Sequence, residues 1–189
     1  MEFDDFECVN LSASSELETA LLFRTLKYST NKKISEFISS SKSESKSLKT
    51  ELPKSTGVVT LIAYYFGENL NQIFKCFQKE TTFSQILKDI PKSPFIACIG
   101  NTVATAETFY VIAEREVVCS CKSFFEAVAF QFASFYVFNI EYPKKALLTF
   151  DLFRGKKNVL VYSADIILAV GTMYTLLTNY LFLLSCSVI

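Results

Sequence analysis

Apolar positions along this chain come in short blocks of changing period, followed by one long unbroken block at its C-terminal end. Leu17, Leu21 and Leu22 recur at helical spacing behind Ser14, Ser15, Glu16 and Glu18, which predicts a helix after a loose acidic start over 1–13. Ile34, Phe37 and Ile38 repeat that spacing and predict a second short helix over 32–39. From 39 to 53 the pattern stops, and six of the first nine residues are serine with charges between them. Such a stretch has little apolar surface to offset chain entropy and reads as disordered. The first part of the chain thus divides into an N-terminal helical segment, 1–38, and a Ser/Lys-rich disordered linker, 39–56.

The run VVTLIAYYF at 58–66 is β-branched and aromatic, which favours a strand, with a buried helix as the alternative. Asn69 is placed to cap a helix through 78 that buries Leu70, Ile73, Phe74 and Phe77. Thr82 is placed to cap another through 90, with Phe83, Ile86 and Leu87 facing inward and Pro91 and Pro94 beyond it. FIACI at 95–99 closes on Gly100-Asn101 as a strand and turn. TFYVIA at 108–113 and VVCSC at 117–121 flank Glu114-Arg115-Glu116 and predict a β-hairpin. Ser123 followed by Glu126 matches a capping box. Behind it Phe124, Phe125, Val128, Phe132, Phe135 and Tyr136 form a wide apolar stripe to 140. Glu126 and Gln131 inside that stretch favour a core helix over a membrane span. After Pro143, one more short helix is predicted over 144–153. The fold class is α+β: a small β-sheet with a hairpin, packed on an apolar helix, in a domain spanning 57–153.

The long apolar block, 166–189, contains no charged side chain. As a helix it would be ~36 Å long, enough to cross a ~30 Å hydrocarbon core with some tilt. Arg154, Lys156 and Lys157 precede it, and the positive-inside bias keeps that side cytosolic. The segment 154–189 therefore reads as a basic junction and a C-terminal transmembrane-like helix. Membrane lipid is the expected partner through 166–189, with the domain before it in the cytosol.

Composition narrows the chemistry. Nineteen basic and nineteen acidic residues cancel, which disfavours a nucleic-acid binder relying on bulk charge. Histidine is absent, so Ser–His and Cys–His nucleophile pairs and His-containing zinc sites are excluded. No Gly-rich phosphate loop occurs. The six cysteines, Cys8, Cys76, Cys98, Cys119, Cys121 and Cys186, do not follow disulfide-framework spacing, and reduced thiols are expected. Cys119 and Cys121 share one face of a predicted strand, and with Cys76 and Cys98 would make four thiolates for zinc. Their spacing is not that of a zinc knuckle, and buried apolar thiols are the stronger reading. Glu114, Glu116, Glu126 and Glu141 offer carboxylates, but solvated charge at a turn accounts for the first two. Asp151 and Arg154 are expected as a surface pair. No catalytic, cofactor-binding or metal residue is assigned, and no cofactor is expected.

Some of these motifs recur elsewhere. SPFIACIGNT, then TFYVIAEREVVCSCKSFFEAVAFQFASFYVFNIEYPKK and LLTFDLF, over about 94–153, resemble the C-terminal part of a large group of animal proteins. That group is multi-copy, is suspected of mobile-element origin, and often carries a sterile alpha motif upstream. Its pattern is an apolar run ending in Gly, a strand pair, a helix, an Asn-x-x-Tyr-Pro module and a closing aromatic helix. The resemblance implies no activity and no catalytic motif. This chain shows no sterile alpha motif and continues past the closing helix. The expected function is a non-enzymatic, tail-anchored interaction or structural module. The alternative is a soluble mobile-element-derived module or degenerate enzyme fragment, its hydrophobic tail read in from flanking sequence.

Overall fold

The computed structural model describes Leu26 and residues 30–154. The elements expected over 1–25 and the hydrophobic helix at 166–189 lie outside the described residues. No helix among the described residues is long and apolar enough to cross a membrane. Two compact units are present, Val59–Phe150 and a second that takes the residues before and after it.

In the second unit, α1 spans Lys32–Leu48. Asn31 caps it, its Oδ1 accepting from the Lys33 N–H at 3.0 Å. The helix runs through the serine-rich stretch, which corrects the linker expected over 39–56. Buried positions recur at Ile34, Ile38, Ser41 and Ser45, so small serines continue the inward stripe begun by isoleucines. The hydroxyls of Ser35, Ser39 and Ser40 donate to carbonyls three or four residues back, each at 2.9 Å, so these donors are satisfied within the helix. Lys49 adopts a left-handed φ of 52° and ends α1, and α2 follows at Leu52–Thr56. A side chain on Gly57 would lie 2.9 Å from both the Phe37 ring and the Pro53 carbonyl oxygen.

The run expected as a strand at 57–66 is a helix, α3, Val58–Tyr65. Its stop is Gly67 at φ 68°. The Glu68 N–H reaches the Ala63 carbonyl at 2.8 Å and the Gly67 N–H that of Tyr64 at 3.2 Å, a Schellman closure. The six residues from Val58 to Ala63 are all buried, as in a helix apolar all round. Asn69 does cap a helix, its Oδ1 accepting from the Asn71 N–H, but only the 3-10 turn Leu70–Gln72. The chain then enters β1, Phe74–Phe77, instead of continuing to 78 as a helix. The spacing of Phe74 and Phe77 suits a helix face equally well. In the strand the two rings go to opposite sides of the sheet.

The sheet has four strands in the order β1-β2-β3-β4, with β2 at Phe95–Ile99, β3 at Thr108–Ala113 and β4 at Glu116–Cys121. β1 and β2 run parallel, and the other two pairs are antiparallel. Gly100 ends β2 because a Cβ there would sit 2.7 Å from the Ala106 Cα. α4, Phe83–Lys88, starts at Thr82, whose N–H and hydroxyl both donate to Gln85 Oε1. Phe77, Ile86, Ile90, Phe95, Ala97 and Ile112 form the core on this side of the sheet. Phe83, expected inside, is exposed and meets Tyr110 edge-on at 5.7 Å.

The opposite face carries α5, Phe124–Val137, a core helix as expected. Ser123 Oγ accepts from the Glu126 N–H at 3.2 Å, while the Glu126 carboxylate accepts from Lys122 rather than from Ser123. The Phe124 ring meets Phe74 and Phe109 from β1 and β3. Gln131 is wholly buried, and its Nε2 donates to the carbonyls of Ile73 at 2.8 Å and Pro94 at 3.0 Å. Asn139, at φ 52°, closes α5 with a second Schellman pattern: Ile140 N–H to Phe135 O and Asn139 N–H to Tyr136 O. Asparagine suits that left-handed position. Tyr142 then lies parallel to Phe150 at 5.2 Å and meets Phe135 edge-on at 4.8 Å. The Asn-Ile-Glu-Tyr-Pro module is therefore a helix stop followed by an aromatic plug.

The last helix, α6, spans Leu147–Phe153. Its start is held from a distance. Glu68 accepts from the Leu148 N–H at 2.7 Å, the Thr149 N–H at 2.9 Å and the Thr149 hydroxyl at 2.6 Å. A carboxylate here satisfies helix-terminal donors and opposes the positive end of the dipole. Asp151, expected on the surface with Arg154, is buried.

Two stability predictions follow from these contacts. Glu68→Ala strands two backbone donors and should cost about 2–4 kcal/mol in urea unfolding, with Glu68→Gln losing less. The hairpin turn Glu114-Arg115 has φ of 52° and 68°, positions that favour Asn-Gly. Replacing the pair by Asn-Gly should raise stability by about 1–2 kcal/mol. An unchanged or lowered midpoint would contradict the turn geometry.

Candidate functional site

Sheet register decides where the cysteines go. Cys76 pairs with Cys98, Cys98 with Phe109, and Phe109 with Cys121, so one row crosses all four strands. Alternation puts that row on the α5 side, because Phe77, Ala97 and Ile112 occupy the other. Cys119, two residues before Cys121 and opposite Val111, shares the same face. A register shift between Val111 and Ile112 makes Val118 the extra residue of a bulge, just before Cys119.

The row breaks into two pairs, Cys76–Cys98 and Cys119–Cys121, on either side of Phe109. This is not the converging arrangement a four-thiolate zinc centre needs. Among the described residues no three His, Cys, Asp or Glu side chains converge on a point. Cys98 and Cys121 are buried, whereas Cys76 and Cys119 are half-buried. Cys119 Sγ lies 3.8 Å from Cys121 Sγ. The hydrogen bond with Cys121 lowers the pKa of the Cys119 thiol, against burial and the nearby Glu126 carboxylate. Cys121 is pushed far up by the same bond, then by burial, Cys119 and Glu126. Cys98 is also pushed far up, first by its hydrogen bond with Cys76 and then by burial. One half-buried sulfur, Cys119, thus sits against one buried sulfur, Cys121.

The carboxylates singled out in the sequence do not come together as an acid–base pair. Glu114 and Glu116 are exposed beside the hairpin turn, Glu141 is exposed after α5, and the Glu126 carboxylate accepts from the Lys122 N–H just before α5. Lys144 and Lys145 are exposed in the loop before α6. A cavity of about 520 Å³ near the end of α1 is lined by Lys42, Ser45, Lys46, Lys49, Thr50, Glu51 and Lys54. Lys54 is already paired with Glu51 at 2.6 Å. Lysines there also complement the negative end of the α1 dipole, which explains them without a ligand.

Sequence reading missed three features: the Glu68 clamp, the Gln131 bridge and the adjacency of Cys76 to Cys98. Each depends on register between distant segments, and no local spacing announces it. A fourth is the apolar surface at the end of α5, where Tyr136, Val137 and Phe138 are 49%, 75% and 48% exposed. The stripe assigned Tyr136 to the core, and Asn139 ends the helix before that face is covered. No known protein family, no curated protein and no solved structure matches the chain.

Proposed function

We propose that this protein is a non-enzymatic interaction module, held at a membrane by 166–189 with its α+β unit in the cytosol. The observation that carries the reading is the consecutive exposure of Tyr136, Val137 and Phe138. Large apolar and aromatic side chains grouped on a surface are what protein-binding sites use. The β4 edge adds to this. Among the described residues β4 is hydrogen-bonded on one side only, and Val117 and Val118 on it are exposed. The absence of histidine favours binding over catalysis. The uncharged run at 166–189, following three basic residues, supports the anchor. The resemblance of 94–153 to a multi-copy animal group is compatible with a module reused for binding.

Two experiments test this reading. Proteins crosslinked to the full chain in cells should be lost in the Val137→Ser, Phe138→Ser double variant. Its unfolding free energy should change by less than about 0.5 kcal/mol per site, as for exposed positions. An unchanged set of partners would contradict the surface assignment. For the anchor, a soluble reporter fused to 154–189 should stay in the membrane pellet after alkaline carbonate extraction. Replacing Leu176 and Leu177 by Arg should release it, at ~2.5–3.5 kcal/mol per central Arg. Reporter found in the supernatant before any substitution would refute anchoring.

A further inference from the structure

The geometry points to Cys119 and Cys121 as a thiol–disulfide exchange site that takes low-molecular-weight disulfides such as oxidised glutathione. The function proposed above does not use these groups.

The two sulfurs are in contact at 3.8 Å, and bonding would require them to approach by about 1.8 Å. Two residues of extended strand separate their Cα atoms by ~6.6 Å, within but near the top of the range a disulfide spans. The bulge at Val118 and the absence of a second strand neighbour among the described residues give β4 room to pucker. A bond closed near that limit is easily reduced, so it acts as a reversible switch rather than a permanent crosslink.

Exposure fixes the order of events. Cys119 is half-buried and open to a reagent, whereas Cys121 is 3% exposed and is not. The Cys119 thiolate attacks one sulfur of the small disulfide, forms a mixed disulfide and expels one thiolate. Cys121 then loses its proton to solvent and attacks Cys119 Sγ. The second small thiolate leaves, and the Cys119–Cys121 bond forms. Two protein thiols are oxidised and one small disulfide is reduced to two small thiols, so electrons and protons balance. The lowered Cys119 thiol agrees with its role as attacker, and the raised Cys121 with its role as resolver. The other pair is less suited, because Cys98 is wholly buried and its thiol strongly favours the protonated form.

The test uses the full chain, folded and reduced, in detergent. At neutral pH, iodoacetamide should modify Cys119 faster than Cys98, because Cys119 is half-buried and Cys98 has no solvent exposure. After incubation with oxidised glutathione, peptide mapping of the wild type should find an internal Cys119–Cys121 disulfide and little glutathione adduct. Cys121→Ser should instead accumulate glutathione on Cys119, and dithiothreitol should reverse both products. The wild-type map stands even if that variant fails to fold. Cys119 and Cys121 both still alkylatable after oxidation would overturn the proposal. So would a persistent glutathione adduct on wild-type Cys119, or linkage of Cys76 to Cys98 in its place.

Discussion

One buried amide joins the central helix to the sheet. Gln131 lies in the middle of α5, has no solvent exposure, and donates from Nε2 to carbonyls immediately before β1 and β2. Those strands are the parallel pair, and parallel strands cannot be set in register by a tight turn. The Ile73 carbonyl also accepts from the Ile96 N–H at 3.1 Å, so the bridge and the ladder meet at one atom. Buried carbonyls without partners are costly, and this side chain gives the Pro94 carbonyl a donor and the Ile73 carbonyl a second one. Position 131 therefore fixes which face of α5 turns inward, and with it the places of Phe124, Val128, Phe132 and Phe135.

From that constraint the remaining parts follow in sequence. With α5 seated, Phe124 meets Phe74 and Phe109, and Cys98 and Cys121 of the cysteine row are buried on the same face. The helix must then stop where its inward face runs out, and Asn139 supplies the left-handed residue. The turn delivers Tyr142 onto Phe135 and Phe150, and Glu68 receives the start of α6. The Schellman stop at Gly67 is what brings Glu68 there, at the end of α3. Exposure of Val137 and Phe138 is the by-product of stopping so abruptly, and it is also the surface on which the proposed binding rests.

Legibility in the sequence followed the range of the interactions. The hairpin, β2 and α5 were readable because alternation, turn residues and a Ser-x-x-Glu start are local signals. The β-branched and aromatic content of the run at 58–66 favours a strand, with a buried helix as the alternative. That apolar run fits either element until Gly67 is recognised as a helix stop. The segment at 70–77 was assigned to a helix because Phe74 and Phe77 sit three apart, and only pairing with β2 favours the strand. The serine stretch of α1 was read by composition, whereas its buried positions follow a helical period that includes Ser41 and Ser45. For the thiol site, Cys119-x-Cys121 was visible as a pair on one strand face. That Cys119 is open and Cys121 closed depends on the register of β4 and the position of α5. In the sequence Gln131 is only a polar residue that disfavours a membrane span. Nothing local reveals that it bridges two strands.

The most direct measurement of this account is the stability of Gln131→Glu as a function of pH. A carboxylate at this position would face two carbonyl oxygens without water. Its folded-state pKa must rise above the ordinary ~4.3, so the penalty is small below that value and grows as the pH rises through and beyond it. The account predicts a loss of more than ~3 kcal/mol at neutral pH and substantial recovery near pH 4, where a protonated carboxyl can again donate. A loss below ~1 kcal/mol at neutral pH, with the pH profile of the wild type, would contradict the bridge and the helix orientation built on it.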